Sequence, residues 1–288
     1  MKVLIINPGA TSTKIAVFDE AQEVFKSTIE HSAQELAPFG SVIEQKDFRK
    51  ALILSTLEKA GYTLSDFDGV CGRGGLLRHI PSGTYRVSDQ AVEDILCARF
   101  GEHASNLGAL LARELGDAVG IPSFFVDPVC TDEMSDVARI SGFSEMERTS
   151  FFHALNHKAM ARAAAKKLGR RYEDVNLIVV HMGGGVSVAA HEKGRAVDVY
   201  NVRDEGAFSM DRGGSLPVTQ MIDYCFSGVS KAEVKRRLML QSGLFSYLGT
   251  RDFRDVEERM MAGDAKAKLI SEAMVYQLCK DMGAMAPC

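Results

Sequence analysis

The segment MKVLIINPGATSTKIAVFD, residues 1–19, decides the fold class. Residues 3–6 are apolar and mostly β-branched, and Asn-Pro-Gly ends this run, which is typical of a strand buried on both faces. Residues 14–19 form a second strand-like run after a polar stretch. We therefore predict two strands joined by a long, hydroxyl-rich loop, and a third strand over residues 24–29.

The same order of elements returns near residue 177. A strand, a glycine turn and two further strands are predicted over NLIVVH (176–181), MGGG (182–185), VSVAA (186–190) and residues 196–200. A repeat at this scale indicates a duplicated domain rather than a solenoid. We expect two related α/β domains, over residues 1–148 and 149–288, with a cleft between them.

The remaining segments predict mainly helices. Apolar stripes at helical spacing lie over residues 47–59, 89–99, 105–118, 149–168 and 264–285, and strand-like runs lie over 67–71 and 123–127. Ser230 and Glu233 have the spacing of a capping box at the start of a helix. The second half has no strand-like run after residue 200, so we expect the second domain to be incomplete.

The composition restricts the class of protein. The 288 residues carry a formal net charge of −4, and 46% are hydrophobic and 25% charged, as in a globular protein. A near-neutral charge argues against nucleic-acid binding through bulk positive charge, and no apolar run approaches the length of a membrane span. Six scattered cysteines without a Cys-x-x-Cys pair indicate reduced thiols. We expect a cytoplasmic protein that binds neither nucleic acid nor a membrane.

The first loop carries groups that suit a phosphate. Backbone amides of a tight turn, hydroxyls and a lysine can surround phosphate oxygens, and the loop offers Asn7, Thr11, Ser12, Thr13 and Lys14. The alternative is a polar hairpin loop without a ligand.

The second loop strengthens the phosphate interpretation. His181 precedes Gly183, Gly184 and Gly185, and successive glycines allow a backbone to approach a ligand closely. The alternative is a tight turn packed against a helix. Two such loops in duplicated domains favour one nucleotide held by both, and the chain has no Walker-type P-loop motif.

Five further side chains are considered as candidates for chemistry. Arg73 and Arg212 each lie beside glycines, where a guanidinium could bind a carboxylate or phosphate, although a solvated surface arginine is the alternative. Asp127 at a strand end could bind Mg²⁺ through water, or could cap the turn before proline. His153 and His157 have a zinc-compatible spacing, but no third ligand is evident, which argues against zinc.

These segments carry a family resemblance. The chain is similar to acetate and butyrate kinases in NPGATSTK (7–14), FHALNH (152–157), HMGGG (181–185) and MDRGGSLP (210–217). It resembles butyrate kinases more closely in GRGGLL (72–77), IPSGTY (80–85) and DPVCTDEM (127–134). The likeness extends from residue 1 to about residue 286.

The resemblance implies a fold and an activity. The fold would be two duplicated ribonuclease-H-like domains around an ATP cleft, as in acetate kinase, sugar kinases, Hsp70 and actin. The activity would be reversible transfer of the ATP γ-phosphoryl group to a short-chain fatty acid, which gives an acyl phosphate and ADP. Relatives continue beyond this point with a strand, an adenosine-binding turn and a helix. A truncated, non-catalytic remnant is therefore one alternative to a butyrate kinase. An acetate kinase is the other alternative.

The resemblance also implies residue roles. Asn7 and residues 11–14 would hold phosphates, and residues 181–185 would hold the outer phosphates of the nucleotide. Arg73 and Arg212 would bind the carboxylate and the transferred phosphoryl group. Asp127, together with Asn7, would organise Mg²⁺, and His153 would stabilise charge on the phosphoryl group. The family also suggests a homo-oligomer.

Overall fold

The two apolar runs at the start of the chain pair as the sequence predicts. In the computed structural model, which describes residues 1–288, the chain forms two units, Met1–Thr131 and Asp132–Cys288. The strands are β1 (Lys2–Pro8), β2 (Ser12–Asp19), β3 (Gln22–Glu30), β4 (Gly69–Arg73), β5 (Thr84–Arg86), β6 (Ser123–Val126), β7 (Asn176–Met182), β8 (Val186–Glu192) and β9 (Arg195–Val199).

Eleven helices accompany the strands. They are α1 (Ala33–Leu36), α2 (Lys46–Lys59), α3 (Asp89–Leu96), α4 (Asn106–Asp117), α5 (Asp136–Arg139), α6 (Ala154–Lys167), α7 (Val218–Cys225), α8 (Lys231–Leu240), α9 (Gly243–Leu248), α10 (Phe253–Met261) and α11 (Ala265–Ala284). None of them combines the length and the apolar character that a membrane-spanning helix requires.

The first unit is built on a six-stranded sheet in the order β3-β2-β1-β4-β6-β5. β1, β2 and β3 are antiparallel neighbours, whereas β4 is parallel to both β1 and β6. Leu4, Ile6 and Val70 are fully buried in its core with α4 residues such as Leu107 and Leu111. Burial of several large apolar side chains, each worth about 1.5–3 kcal/mol, stabilises this sheet–helix layer.

Helix α4 lies unusually close to strand β4. A Cβ on Gly72 would be 1.8 Å from the carbonyl oxygen of Gly108, and a Cβ on Gly108 would be 2.4 Å from that of Arg73. Only glycine at both positions allows this backbone contact. The contact fixes the end of β4, where Arg73 lies.

The second unit has a three-stranded antiparallel sheet in the order β7-β8-β9. Side chains alternate between its faces. Val186 and Val188 of β8 pack with Leu278 of α11 on one face, while Ala189 packs with Phe152 on the other. The sheet has no later strand, as the sequence predicts.

The division between the units differs from the expected boundary after residue 148. The chain divides between Thr131 and Asp132. The intervening segment is fixed to the second unit, because Arg148 forms ion pairs of 2.9 Å with both Asp198 and Glu205. Residues 132–148 therefore belong to the second unit.

Helix α6 begins later than the predicted residue 149. Residues 149–152 are bonded to the chain near residue 201 instead: Val202 N donates to Phe151 O at 2.9 Å, and Asn201 Nδ2 donates to Thr149 O at 3.2 Å. The helix therefore starts at Ala154, with His153 at its N-cap position.

The capping interaction at α8 is half of the predicted box. Ser230 Oγ accepts from Glu233 N at 3.2 Å. The Glu233 carboxylate does not return to Ser230 but pairs with Arg236 and Arg237 at 2.7 Å each.

Candidate functional site

Parallel strands bring three of the proposed site residues together in the first unit. Since β1, β4 and β6 run parallel, their carboxyl ends meet at one edge of the sheet. Asn7 lies at the end of β1, Arg73 at the end of β4, and Asp127 directly after β6. Arg73 donates to Asn7 Oδ1 at 3.5 Å. The sequence places these residues far apart, and the sheet order makes them neighbours.

Arg73 is held in a confined position. Besides the contact of β4 with α4, a Cβ on Gly75 would lie 2.2 Å from Asn106 Oδ1, which accepts from Leu76 N at 2.7 Å. Burial lowers the pKa of the Arg73 guanidinium, but an arginine remains charged in a protein. These close contacts therefore fix the backbone that carries the partly buried cation.

Asp127 is buried, with 2% of its surface exposed, and has a φ of +38°. Its Oδ1 accepts from Gly83 N at 2.8 Å, and its own N–H donates to Gly83 O at 3.1 Å. A non-glycine residue in this backbone region carries strain, which often accompanies functional sites. Asp127 thus fixes the Gly83 loop. This role resembles the capping role that the sequence offers as an alternative, and Asp127 still lies at the sheet edge.

The donor atoms at this edge suit a hard cation. Asn7 supplies an amide oxygen and Asp127 a carboxylate, and Mg²⁺ uses oxygen ligands, usually one or two from the protein together with water and substrate phosphates. No group of three or more His, Cys, Asp or Glu side chains in the chain is arranged to hold a metal ion.

The loop between β1 and β2 is shorter than predicted. It contains only residues 9–11, because β2 already begins at Ser12. Asn7 pairs with Lys14, and Pro8 pairs with Thr13. The predicted phosphate ligands Ser12, Thr13 and Lys14 therefore lie on β2, where alternate side chains point to opposite faces.

A buried arginine fixes this loop from the protein side. Arg49 is fully buried, and its guanidinium donates to the carbonyl oxygens of Gly9, Ala10 and Ser12 at 2.9, 3.2 and 3.1 Å. The carbonyl of Thr11 accepts from His31 N at 2.8 Å. All four carbonyls of residues 9–12 are thus engaged by the protein.

The exposed side of the loop is rich in donors. The backbone N–H groups of Ala10 and Thr11 make no hydrogen bond within the chain, and both residues are exposed. A turn whose carbonyls are engaged and whose amides are open is a favourable place for an anion. The exposed Lys14 adds a positive charge on the neighbouring strand.

Thr13 has a different place from the one that its sequence position suggests. Its side chain is fully buried, and its Oγ1 accepts from Arg49 at 3.0 Å and lies 2.8 Å from His31 Nε2. The Thr13 hydroxyl therefore stabilises the loop from beneath, whereas Thr11 is exposed and Ser12 half-buried.

Sequence reasoning missed Arg49 although its spacing carries a signal. Arg49, Ile53 and Leu57 are the buried residues of α2 and follow one another every four positions. An arginine in the apolar stripe of a helix indicates a buried cation, and a buried cation requires acceptors.

In the second unit, the glycine turn lies against Arg212. A Cβ on Gly185 would be 3.2 Å from the Arg212 guanidinium and 2.7 Å from Val202 Cγ2. Ser209 Oγ donates to Gly184 O at 2.6 Å and accepts from Arg212 N at 3.3 Å. Burial lowers the pKa of the Arg212 guanidinium. The turn and the arginine are therefore one local unit.

His153 belongs to the same group of residues. Its imidazole stacks on that of His181 with a centroid distance of 3.8 Å and an interplanar angle of 15°. His181 Nδ1 lies 3.0 Å from Asn156 Oδ1, and a Cβ on Gly183 would be 3.2 Å from His181 Nε2. The second unit thus assembles His153, residues 181–185 and Arg212.

An open cavity of about 580 Å³ lies beside the glycine turn. It is lined by Met182, Gly183, Gly184, Met210, Arg251, Asp252, Phe253 and Met274. Sequence reasoning missed the segment at residues 251–253. The sequence signal for this segment is a glycine closely followed by an N-cap residue. Gly249 ends α9 with a φ of +76°, and Asp252 begins α10 by accepting from Arg254 N at 2.9 Å.

Two units of this kind, each with an antiparallel β-hairpin and an anion-compatible turn, define an α/β fold of the actin-like ATPase type. Solved structures share this fold over 99% of the chain. An acetate kinase from Porphyromonas gingivalis matches with a TM-score of 0.79, 21% identity and 79% of its own length. A propionate kinase from Francisella tularensis matches with a TM-score of 0.76, 20% identity and 79% of its length. An acetate kinase from Entamoeba histolytica matches with a TM-score of 0.77, 18% identity and 78% of its length.

The sequence comparison points to the same group of proteins. Residues 146–287 match the sequence model of the Acetokinase family. This region contains the glycine turn, His153 and Arg212. The fold of the whole chain is therefore that of the acetate kinases, and the second unit carries the family's sequence pattern.

Proposed function

We propose that this chain is a carboxylate kinase that transfers the terminal phosphoryl group of ATP to a short-chain fatty acid. The products would be an acyl phosphate and ADP, and the reaction would be reversible. The observation that supports this most strongly is the meeting of Asn7, Arg73 and Asp127 at one sheet edge, with Arg73 3.5 Å from Asn7.

The charges of the site suit this reaction. ATP and a carboxylate are both anions and repel each other in the absence of cations. Phosphoryl transfer through a loose transition state needs positioning and charge stabilisation rather than covalent help. Arg73 and Arg212 are oriented by glycine contacts, so they can provide these effects without reorganisation. A carboxylate is already ionised at neutral pH, so the reaction needs no general base.

The second unit supports binding of a nucleotide. Gly183 and Gly184 form one side of the 580 Å³ cavity, where backbone groups can approach phosphates. Met210, Phe253 and Met274 supply apolar surface on the cavity wall. A polar turn next to an apolar wall fits the phosphate and base ends of one nucleotide.

Mg²⁺ would be held at the edge of the first unit. Asp127 and Asn7 would provide its oxygen ligands from the protein, through water or directly. When bound, the ion would neutralise phosphate charge. His153 would donate a hydrogen bond to the transferred phosphoryl group.

The acyl substrate is proposed to be butyrate or a branched short-chain acid. The support is the likeness of residues 72–77, 80–85 and 127–134 to butyrate kinases. Acetate or propionate is the second candidate, because the similar solved structures are acetate and propionate kinases.

A hydroxylamine-trapping assay separates these candidates. The chain is incubated with ATP, Mg²⁺ and hydroxylamine and with acetate, propionate, butyrate or isobutyrate, and the hydroxamate is measured. We expect the highest kcat/KM with butyrate or isobutyrate. The highest value with acetate would assign the chain to the acetate kinases, and no hydroxamate with any acid would reject the kinase proposal.

A further inference from the structure

A continuous row of hydrogen-bonding side chains runs inward from His153. We call it the histidine relay, and it consists of His153, Ser187, His157, His191 and Tyr172. Ser187 Oγ lies 2.9 Å from His153 Nδ1 and 3.0 Å from His157 Nε2. His157 Nδ1 lies 3.4 Å from His191 Nε2, and His191 Nδ1 lies 2.5 Å from Tyr172 Oη. Each imidazole inside the row thus uses both of its nitrogens.

The relay follows from the periods of two elements. His153 and His157 are four residues apart at the start of α6, so they share one face of the helix. Ser187 and His191 are four residues apart in β8 and therefore lie on the same face of the strand. Ser187, His157 and His191 are no more than 1% exposed. Water therefore does not replace the contacts between them.

Burial keeps the inner imidazoles neutral. Burial, together with neighbouring His191, His153 and His181, lowers the pKa of His157 to about 3. It lowers the pKa of His191 to about 4, where Lys158 also lowers it and Glu133 opposes the shift. A neutral imidazole has one N–H and one lone pair. At each inner imidazole, one nitrogen therefore donates and the other accepts, so the bonds on its two sides run in the same direction along the row.

The phenol at the inner end favours one direction. A phenol is a better donor than acceptor towards an imidazole nitrogen, so Tyr172 Oη–H donates to His191 Nδ1. His191 then donates from Nε2 to His157 Nδ1, and His157 donates from Nε2 to Ser187 Oγ. A Ser187 hydroxyl that accepts from His157 has its own proton available to donate to His153 Nδ1, and this arrangement would leave the proton of His153 on Nε2.

We propose that Tyr172, His191, His157 and Ser187 are positioning residues that hold His153 as its Nε2–H tautomer. The role of this tautomer rests on the proposed function, in which His153 donates from Nε2 to the transferred phosphoryl group. The stacked His181 supports the assignment. Two imidazolium rings 3.8 Å apart would repel each other, so the stack disfavours a state in which both rings are charged.

Nitrogen NMR tests the tautomer without any enzyme assay. The ¹⁵N-histidine spectrum of the full chain is recorded at pH 7.5, and the His153 signals are assigned by their loss in His153→Gln. We expect the shift pattern of a neutral ring with its proton on Nε2. A ring protonated on Nδ1, or on both nitrogens, would overturn the proposal.

Two substitutions test whether the relay causes this state. Ser187→Ala removes the hydroxyl next to His153, and Tyr172→Phe removes the phenol hydroxyl at the far end. We expect both to shift His153 towards a mixture of tautomers, and Ser187→Thr to restore the wild-type pattern. Tyr62→Phe, in the core of the first unit, is the matched control and should change nothing. An unchanged His153 spectrum in both relay variants would also overturn the proposal.

Kinetics give a second readout. We expect Ser187→Ala and Tyr172→Phe to lower kcat about 10-fold to 100-fold with little change in the KM for ATP, since orienting groups typically have effects of this size. A change in KM alone would contradict a positioning role. If the wild-type chain shows the Nε2–H tautomer but no kinase activity, the proposed function fails while the structural assignment of the relay stands.

Discussion

One nitrogen of the buried Arg49 guanidinium lies 2.9 Å from the carbonyl oxygen of Gly9. The same nitrogen is 3.1 Å from the carbonyl oxygen of Ser12 and 3.0 Å from Thr13 Oγ1. The arginine thus turns the carbonyls of the first loop towards the protein, and the open amides of Ala10 and Thr11 are left for an anion. This polarity is the physical basis for assigning a phosphate to the loop.

Replacing Arg49 by methionine should weaken both folding and ATP binding. Arg49→Met removes the donor to the Gly9 and Ala10 carbonyls and to the buried Thr13 hydroxyl, and a buried polar group that loses its partner costs about 1–3 kcal/mol. We expect the free energy of unfolding in urea to fall by about 3 kcal/mol or more, and the KM for ATP to rise in the fraction that is folded. Arg171→Met, an exposed arginine with one surface ion pair, is the control. Equal stability of the two variants would contradict the role of Arg49.

Gly184→Ala should separate ligand binding from folding. A Cβ at Gly184 has no heavy atom within 4 Å, and the residue has no positive φ, so the folded chain accommodates it. The new methyl group would instead occupy space in the cavity beside the turn. We expect an unchanged melting temperature and at least a 10-fold higher KM for ATP.

Gly142→Ala is the matched control, because a Cβ there also meets nothing within 4 Å and lies away from the turn. An unchanged KM for ATP in Gly184→Ala would remove the glycine turn from the nucleotide site.

Removing either site arginine should affect catalysis much more than stability. Arg73→Ala and Arg212→Ala each delete a cation that we propose binds the reacting anions, and the loss of one such donor costs about 10²–10³ in kcat. Lysine at either position should restore only part of the rate, because it lacks the planar fork. Arg86→Ala, on an exposed face of β5, should retain wild-type kcat. A kcat within threefold of wild type for Arg73→Ala would contradict its assignment.

The stability of the chain should fall in mild acid because of the relay histidines. His157 and His191 have native pKa values of about 3 and about 4, below the ordinary 6.5. Between these values and 6.5 the unfolded state binds protons that the native state does not, so stability falls as the pH is lowered from 6.5 towards 4. Each group contributes a slope of up to about 1.4 kcal/mol per pH unit.

His191→Gln removes one of these titrations. We expect the free energy of unfolding of this variant to depend less steeply on pH between 6.5 and 4.5 than that of wild type. His79→Gln, which changes an exposed histidine, should keep the wild-type slope. Identical slopes for His191→Gln and wild type would show that the pKa of His191 is not lowered in the native state.

Local patterns were sufficient to predict most of the strands and helices. The apolar run over residues 3–6 lies in β1, where Leu4 and Ile6 are fully buried, and the run over residues 176–181 lies in β7, whose residues are half-buried or exposed. Gly72 and Gly214, near Arg73 and Arg212, lie in close backbone contacts that their sequence positions did not predict. The ends of elements were less predictable, as at Ala154, because distant backbone groups decided where the helix begins.

The contacts between distant segments could not be predicted from the sequence. The order of β1, β4 and β6 brings Arg73 to Asn7, and no local pattern specifies that order. The relay requires the register of β8 against α6, which is set by packing across the whole second unit. The sequence predicts the Thr13 hydroxyl as a phosphate ligand, whereas the structure buries it. The direction of its side chain depends on its position in the strand, and that position depends on the length of the preceding loop.

Synthesis of ATP from ADP and an acyl phosphate tests the central claim most directly. The purified chain is mixed with butyryl phosphate, ADP and Mg²⁺, and ATP is measured by luciferase luminescence, with Arg212→Ala as the matched control. We expect ATP to form at a rate proportional to the concentration of the chain, and the control to lose at least 99% of that rate, or about 100-fold. If a chain that melts cooperatively forms no ATP from butyryl, propionyl or acetyl phosphate, it is not a carboxylate kinase.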